Sequence, residues 1–378
     1  MAVTTSKRGN GRPTSSATAE AAVPKHPATP SIPPVDFEHE DLAVRRGARS
    51  GLYVIVAIHS TALGPALGGV RLWHYPATIH GARDALRLAA GMTYKAAAAG
   101  LDLGGGKGVI CAPAGGLEGQ QRREALLDFA DLVESLEGRY ITAEDVGISP
   151  RDLVAIGERT EHLTGLPPEH GGSGDPSPFT ALGVESAIRA CVRARFGDGD
   201  LTGRRVAVVG LGHVGAQLAE RLADADCELI VSDIVEEKRE LAERLGAEWA
   251  APADAMLAEC DVLAPCALGG AISGQNATRL RCEIVCGSAN NQLADEALAD
   301  VLAEHGVLYA PDFIANAGGL IHVYMEIKGY TEERAVALAR GIEGTVAKVL
   351  ETAEARAVTP LTAARELARE RLDGALRN

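Results

Sequence analysis

The stretch RRVAVVGLGHVGAQLAERLADADCELIVSD, from Arg204 to Asp233, decides the fold. Val206–Val209 is an apolar run of strand length. It ends in Gly210-x-Gly212-x-x-Gly215, and helix formers follow. Glu228–Ser232 then reads as a second strand. Strand, glycine turn, helix and strand make a βαβ unit. Each glycine is there for a physical reason. Gly210 permits the tight turn, Gly212 lets backbone N–H groups approach a pyrophosphate, and Gly215 lets helix and strand pack closely. The helix N-terminus adds partial positive charge for phosphates. Asp233 stands 23 residues after Gly210. A carboxylate there can hydrogen-bond ribose hydroxyls and would repel a 2′-phosphate, so the expected cofactor is NAD rather than NADP. A glycine triplet alone is weak, but here strand, helix and acid agree with it. The turn residues Leu211, His213 and Val214 join the three glycines and Asp233 as candidate cofactor contacts. His213 itself reads as a solvent-edge residue at the helix start, not a base.

Outward from this unit, the chain has 378 residues, room for two or three domains. The expected fold class is α/β, with a Rossmann domain and a second, mixed α/β domain. The formal charge of −14 argues against broad binding to a phosphate backbone. Seven cysteines are scattered without metal-ligand spacing, and the histidines show none either, so neither a disulfide framework nor a metal site is expected. Reduced thiols suit the cytoplasm. Cys266, in APCALGG, has an apolar setting and no activating histidine in sequence, and reads as a packing residue. No apolar run is long enough for a membrane span. Residues 1–35 are rich in Pro, Ser, Thr and Ala without an apolar core, and read as a disordered tail and not a secretory signal.

The preceding half reads as strand Gly51–Ser60, a Gly/Pro turn at Leu63–Gly69, helix Ala82–Gly100, and strands KGVICAP and RYITAED with helix Arg122–Leu136 between them. Pro167–Gly183 is a loop that opens into a helix and is the candidate junction. Thr331–Asn378 is mostly helical, and its Leu/Ala stripe suits core or a subunit interface.

The second glycine-rich stretch, LDLGGGKG at Leu101–Gly108, is not a phosphate loop, because the G-x-x-x-x-G-K-[ST] pattern fails at both ends. Lys107, and Lys95 in GMTYKAAAAG, sit among Ala, Gly and Leu. Two such lysines would lower each other's pKa, burial adding to the effect, and could serve as bases near neutrality. Alternatively they snorkel to the surface. Glu144 and Asp145 end an apolar strand. There a carboxylate could handle an amine proton or cap the helix after it, as Ser149 also could.

Seven motifs, STALGPALGGVRLW, GMTYKAAAAGLDLGGGKGVI, RYITAEDVG, GDPSPFTALGV, APCALGG, GSANNQLAD and YAPDFIANAGGLIHV, lie in order between about Asp36 and Arg371. Together they resemble the leucine/valine/phenylalanine branch of the amino-acid dehydrogenases related to glutamate dehydrogenase. The resemblance implies reversible NAD-dependent oxidative deamination of an L-amino acid to its 2-oxo acid and ammonium. It implies Lys107 as the lysine that activates water and Asp145 as the proton carrier for the amine. It assigns Lys95 to the substrate carboxylate, Gly68 and Gly69 to backbone contacts with substrate, and Asn291 to the substrate side. Asn290, Thr180 and Ala267 fall to the cofactor, with Asn290 near the nicotinamide and Thr180 holding its amide. The glycines before Lys107 then read as clearance for cofactor and substrate.

The side-chain pocket implied by the family is Leu67, Met92, Ala143, Leu320 and Val323. Glutamate dehydrogenases carry a lysine in place of Leu67, and a buried unpaired carboxylate would cost several kcal/mol, so glutamate is disfavoured. Leu67 favours leucine, valine or isoleucine. The FIANAGGLIH stretch and the VTPLTAARELARER C-terminus look closer to the phenylalanine branch, and Leu320 is larger than the valine usual in leucine enzymes, which would shrink the pocket. An aromatic substrate is the alternative. A non-catalytic NAD sensor would have been favoured by loss of Lys95, Lys107 or Asp145, and all three are present. The implied architecture is a substrate domain at 36–176, a Rossmann domain at 177–345 and a helical segment at 346–378 returning to the first domain. A cleft would separate the two domains, and the chain would form a homo-oligomer.

Overall fold

The computed structural model describes residues 38–377. The expected tail at 1–35 lies outside the described residues. The chain forms a two-domain α/β fold with two sheets. The first holds β1 (Asp41–Arg46), β2 (Tyr53–Ser60), β3 (Ala66–His74), β4 (Gly104–Ala112) and β5 (Tyr140–Glu144), in the order β1-β2-β4-β3-β5. β2 runs antiparallel to β1 and β4, whereas β3 runs parallel to β4 and β5. Parallel neighbours need crossovers, and α1 (Thr78–Ala98) and α2 (Gly119–Glu134) supply them. The alternation in β2 explains why both faces are covered. Ile55 and Ala57 point into a core with Ala82, Ala85, Leu86 and Ala89 of α1. Val54, Val56 and Ile58 point into the opposite core, with Phe129, Leu132 and Val133 of α2.

The second sheet is parallel throughout: β6 (Arg205–Val209), β7 (Glu228–Ser232), β8 (Glu248–Trp249), β9 (Cys260–Pro265), β10 (Cys282–Val285) and β11 (Leu308–Tyr309). Its order is β11-β10-β9-β6-β7-β8. The winding therefore reverses between β6 and β9, which is where a doubly wound sheet binds ligands, beyond the strand C-termini. Val206, Val208, Val262 and Ala264 are wholly buried, as apolar strands covered on both faces must be.

Two expectations for the first sheet are corrected. The Gly/Pro turn at Leu63–Gly69 ends early, because Ala66–Gly69 already belongs to β3. The three glycines expected before a strand lie inside β4. The cause is close strand packing: Ala66 pairs with Gly104 and Leu67 with Gly105, and a Cβ at Gly68 would overlap the Gly106 carbonyl. β1, short and half polar, has no clear sequence signal.

At the junction, Glu326 on the helix Gly318–Ile327 accepts N–H bonds from Gly165 (3.0 Å) and Ser173 (3.1 Å), and the Ser173 hydroxyl at 2.7 Å. α3 (Pro150–Gly157) precedes this junction and α4 (Ser177–Phe196) follows it. α4 shares a core with the helices Ile342–Arg356 and Pro360–Leu376 through Ile188, Val346, Val349 and Ala364. The last helix also reaches the first domain. Arg371 donates to the carbonyls of Ala96, Ala97 and Leu101 and pairs with Asp102 at 2.8 Å, adding a side-chain clamp to the backbone bonds that already close the end of α1.

Candidate active site

β4 carries Lys107 at a point where the flanking strands present only small residues. Its neighbours in the first sheet are Gly69 on β3 and Ala57 on β2. The ammonium group crosses to Asp145, just past β5, with Nζ 2.8 Å from Oδ2. Only 6% of Lys107 is exposed. Burial lowers its pKa, against the opposing charge of Asp145. Burial would raise the Asp145 carboxyl, but Lys107 and then Arg71 outweigh it and hold the group below the usual carboxylate range. Asp145 does not cap the next helix. Ser149 does, in a reciprocal capping box with Asp152.

The run Gly104–Gly106 is not open clearance. A Cβ at Gly105 would overlap the backbone nitrogen of Thr93 on α1, and one at Gly104 the Ser60 carbonyl. At Gly106 it would lie 2.5 Å from the Tyr140 ring. The space freed by the missing side chains is filled by the protein itself. The buried Tyr140 also donates its hydroxyl to the Gly68 carbonyl at 2.5 Å, fixing the backbone next to Gly69.

Lys95, near the end of α1, belongs to a second cluster. Its Nζ donates to Asn316 Oδ1 at 2.6 Å, and Asn316 Nδ2 donates to Asn290 Oδ1 at 2.8 Å and to the Ser288 carbonyl at 3.1 Å. This chain joins α1 to the Rossmann domain. Burial lowers the Lys95 pKa to about 8, opposed by the charge of Asp312. The expected mutual depression of the two lysines is not the cause: burial acts on each, and each faces its own carboxylate. No hydrogen bond or ion pair joins the two clusters among the described residues.

Of the implied pocket residues, Leu67 and Leu320 belong to one large apolar core, and Met92 and Val323 pack against it. Ala143 stands apart from it, on β5 beside Gly69. Asn291 has a left-handed backbone (φ 51°) and accepts the Gly270 N–H at 2.7 Å. With Gly91, Tyr94 and Asp312 it lines a cavity of about 140 Å³.

The dinucleotide turn lies at the reversal point of the second sheet. Gly210 has φ 106°, and a Cβ there would lie 2.7 Å from Ala267. A Cβ at Gly215 would overlap the Gly210 carbonyl, whereas one at Gly212 would meet nothing within 4 Å. Gly212 leads directly into α5 (His213–Asp224), with His213 exposed at its first position and Leu211 and Val214 packed inward. Asp233 accepts the N–H groups of Leu211 (2.7 Å) and Val235 (2.9 Å). Thr180 lies in the first turn of α4 and donates to the Pro176 carbonyl at 3.1 Å. A turn open at Gly212, at a helix N-terminus and with a carboxylate at hand, fits a dinucleotide. Burial pushes the Cys266 thiol up, which suits packing and not nucleophilic attack. Among the described residues no group of His, Cys, Asp or Glu could hold a metal ion. The described helices include none long and apolar enough to cross a membrane.

Sequence reasoning missed Arg71, Asp84, Asp312 and Asn316. Arg71 and Asn316 stand inside quoted motifs, GGVRLW and FIANAGG, yet their partners are far along the chain. An isolated polar residue between apolar ones was the available signal.

Residues 40–162 match the family model described as Glu/Leu/Phe/Val dehydrogenase, dimerisation domain. Residues 228–378 match that of Glutamate/Leucine/Phenylalanine/Valine dehydrogenase. Residues 186–268 match the NAD binding domain of D-isomer specific 2-hydroxyacid dehydrogenases. Leucine dehydrogenase of Thermoactinomyces intermedius is 44% identical over 89% of this chain and 92% of its own length. Valine dehydrogenase of Streptomyces virginiae is 40% identical over 89% and 94%. The crystal structure of L-tryptophan dehydrogenase from Nostoc punctiforme superposes with a TM-score of 0.80 at 38% identity, covering 90% of this chain and 98% of that one.

Proposed function

The chain belongs to the glutamate/leucine/phenylalanine/valine dehydrogenase family, and on that premise we propose that it catalyses NAD-dependent oxidative deamination of a branched-chain L-amino acid, reversibly. The observation that carries this reading is the buried Lys107–Asp145 pair at 2.8 Å, beside the glycine backbone of β3. The turn Gly210–Gly215, Asp233, Thr180, Ala267 and Asn290 would hold NAD, which would supply the hydride acceptor. The remaining chemistry belongs to side chains. Lys95, charged at neutral pH, binds the substrate carboxylate. Asp145, ionised, takes the amine proton. Lys107, its pKa lowered by burial, takes a proton from the attacking water in its neutral form, and the ammonium that results stabilises the carbinolamine. Gly68, Gly69 and Asn291 contact the substrate.

Leu67, Met92, Ala143, Leu320 and Val323 form the side-chain pocket. Apolar Leu67 in place of a cation supports an aliphatic substrate over glutamate. A second reading, an aromatic amino acid, is favoured by similarity to the tryptophan enzyme. We place the substrate domain at 36–176, the NAD domain at 177–345 and the returning helical segment at 346–378. We also propose a cytoplasmic homo-oligomer, supported by seven unpaired cysteines and by the match to a dimerisation domain.

The test is NADH absorbance with each of the twenty L-amino acids and with both NAD and NADP. Faster turnover of Leu, Val and Ile than of Phe and Trp is expected. Phe or Trp as best substrate would overturn the specificity, and no turnover at all would overturn the activity.

A further inference from the structure

We propose that Arg71 is a positioning residue for the Lys107–Asp145 pair, holding one carboxylate oxygen of Asp145 so that the other faces the substrate amine. The inference rests on the reading of Asp145 as the proton carrier. Arg71 Nε donates to Asp145 Oδ2 at 2.9 Å, and Lys107 Nζ touches the same oxygen at 2.8 Å. Two cations therefore share Oδ2. Oδ1 has no hydrogen-bond partner among the described residues, and the Asp145 side chain keeps 23% of its surface exposed. Oδ1 is then the atom that receives the amine proton, and Oδ2 is the atom that is held.

The arginine is anchored at its other end. Arg71 Nη1 donates to Asp84 Oδ2 at 2.9 Å. Tyr75 donates its hydroxyl to the same oxygen at 2.7 Å, and Arg87 binds Oδ1 at 2.8 Å. Asp84 lies on α1, so the chain ties β3, α1 and the end of β5 together. A guanidinium can bond two carboxylates at fixed angles, which a lysine cannot do. A cavity of about 560 Å³ reaches Arg71 from solvent, and His80 and Arg83 line it without bonding to Arg71. The positive charge of Arg71 also lowers the Lys107 pKa. Its removal therefore raises both members of the pair, and the two effects share a sign.

The test compares wild type with Arg71→Met, Arg71→Lys and Asp84→Asn. Difference infrared spectra against Asp145→Asn in each background isolate the Asp145 carboxylate and need no turnover. In Arg71→Met the Asp145 titration is expected to rise by about one pH unit or more. In kinetics, kcat falls roughly 10- to 100-fold with little change in KM, and the acidic limb of kcat/KM moves up in pH. Arg71→Lys recovers part of both. Asp84→Asn gives a smaller shift of the same sign, and with Arg71→Lys it carries the comparison if Arg71→Met does not fold. An unmoved Asp145 titration in a folded variant would overturn the proposal. So would a loss confined to KM or thermal stability. Wild type inert towards every amino acid would instead overturn the proposed reaction, and the infrared comparison would still decide on Arg71.

Discussion

The chain has two glycine-rich stretches, and they use the absence of a side chain in opposite ways. Along Gly104–Gly108 on β4 the missing volume is filled by Ser60, Thr93, Phe129 and Tyr140. In the turn Gly210–Gly215, Gly210 and Gly215 are packed likewise, but Gly212 faces open space. One stretch fixes a lysine by close packing, and the other keeps room for a ligand. Glycine content is therefore no guide to where a ligand sits. What would occupy the Cβ position is the guide.

The largest expected effect comes from the one long side chain in the packed stretch. Lys107→Ala should lower turnover roughly 10³-fold and leave NADH binding intact by fluorescence titration, because the turn that would bind NADH lies in the other domain. Turnover near the wild-type rate would remove Lys107 from the chemistry.

A matched pair of substitutions tests the glycines directly. Gly105→Ala forces a methyl group into the backbone of α1 and should cost roughly 3 kcal/mol of stability, read as a lower thermal midpoint. Gly212→Ala should leave that midpoint unchanged and weaken NADH roughly tenfold, comparable to losing one charge-assisted hydrogen bond. If Gly212→Ala destabilises the fold while Gly105→Ala does not, the contrast fails.

The smallest effect concerns pH. The Lys95 pKa is lowered to about 8, so its charge is complete well below that value and is lost as pH rises through it. Affinity for a 2-oxo acid, which has no amine of its own to titrate, should fall with each pH unit above 8, up to about tenfold per unit. Affinity that stays flat to pH 10 would detach Lys95 from the carboxylate.

The same contrast explains what the sequence could reveal. The Rossmann unit is local: strand, turn, helix and acid all fall within Arg204–Asp233, and each constraint acts over a few residues. β4 is not. Gly106 is glycine because of Tyr140, and Gly105 because of Thr93, so locally the glycines read as a break before the strand. Leu63–Gly69 reads as a turn for the same reason. Lys95, Lys107 and Asp145 stood out as charges in apolar surroundings. Arg71 and Asn316 did not, because their partners are set by how the elements pack. Arg71 meets Asp145 74 positions along the chain, and Asn316 meets Lys95 221 positions away.

The bond from Lys95 to Asn316 sets how that ammonium is presented. On the proposed reading of Lys95, a substrate carboxylate meets a cation already held by a carboxamide oxygen at 2.6 Å. An ammonium carries three N–H donors, so Asn316 takes one and leaves two for the anion. The held donor fixes where the free ones point before anything binds. Asn316 thus aims the lysine from the other domain, and the long side chain has less freedom to lose when a carboxylate arrives.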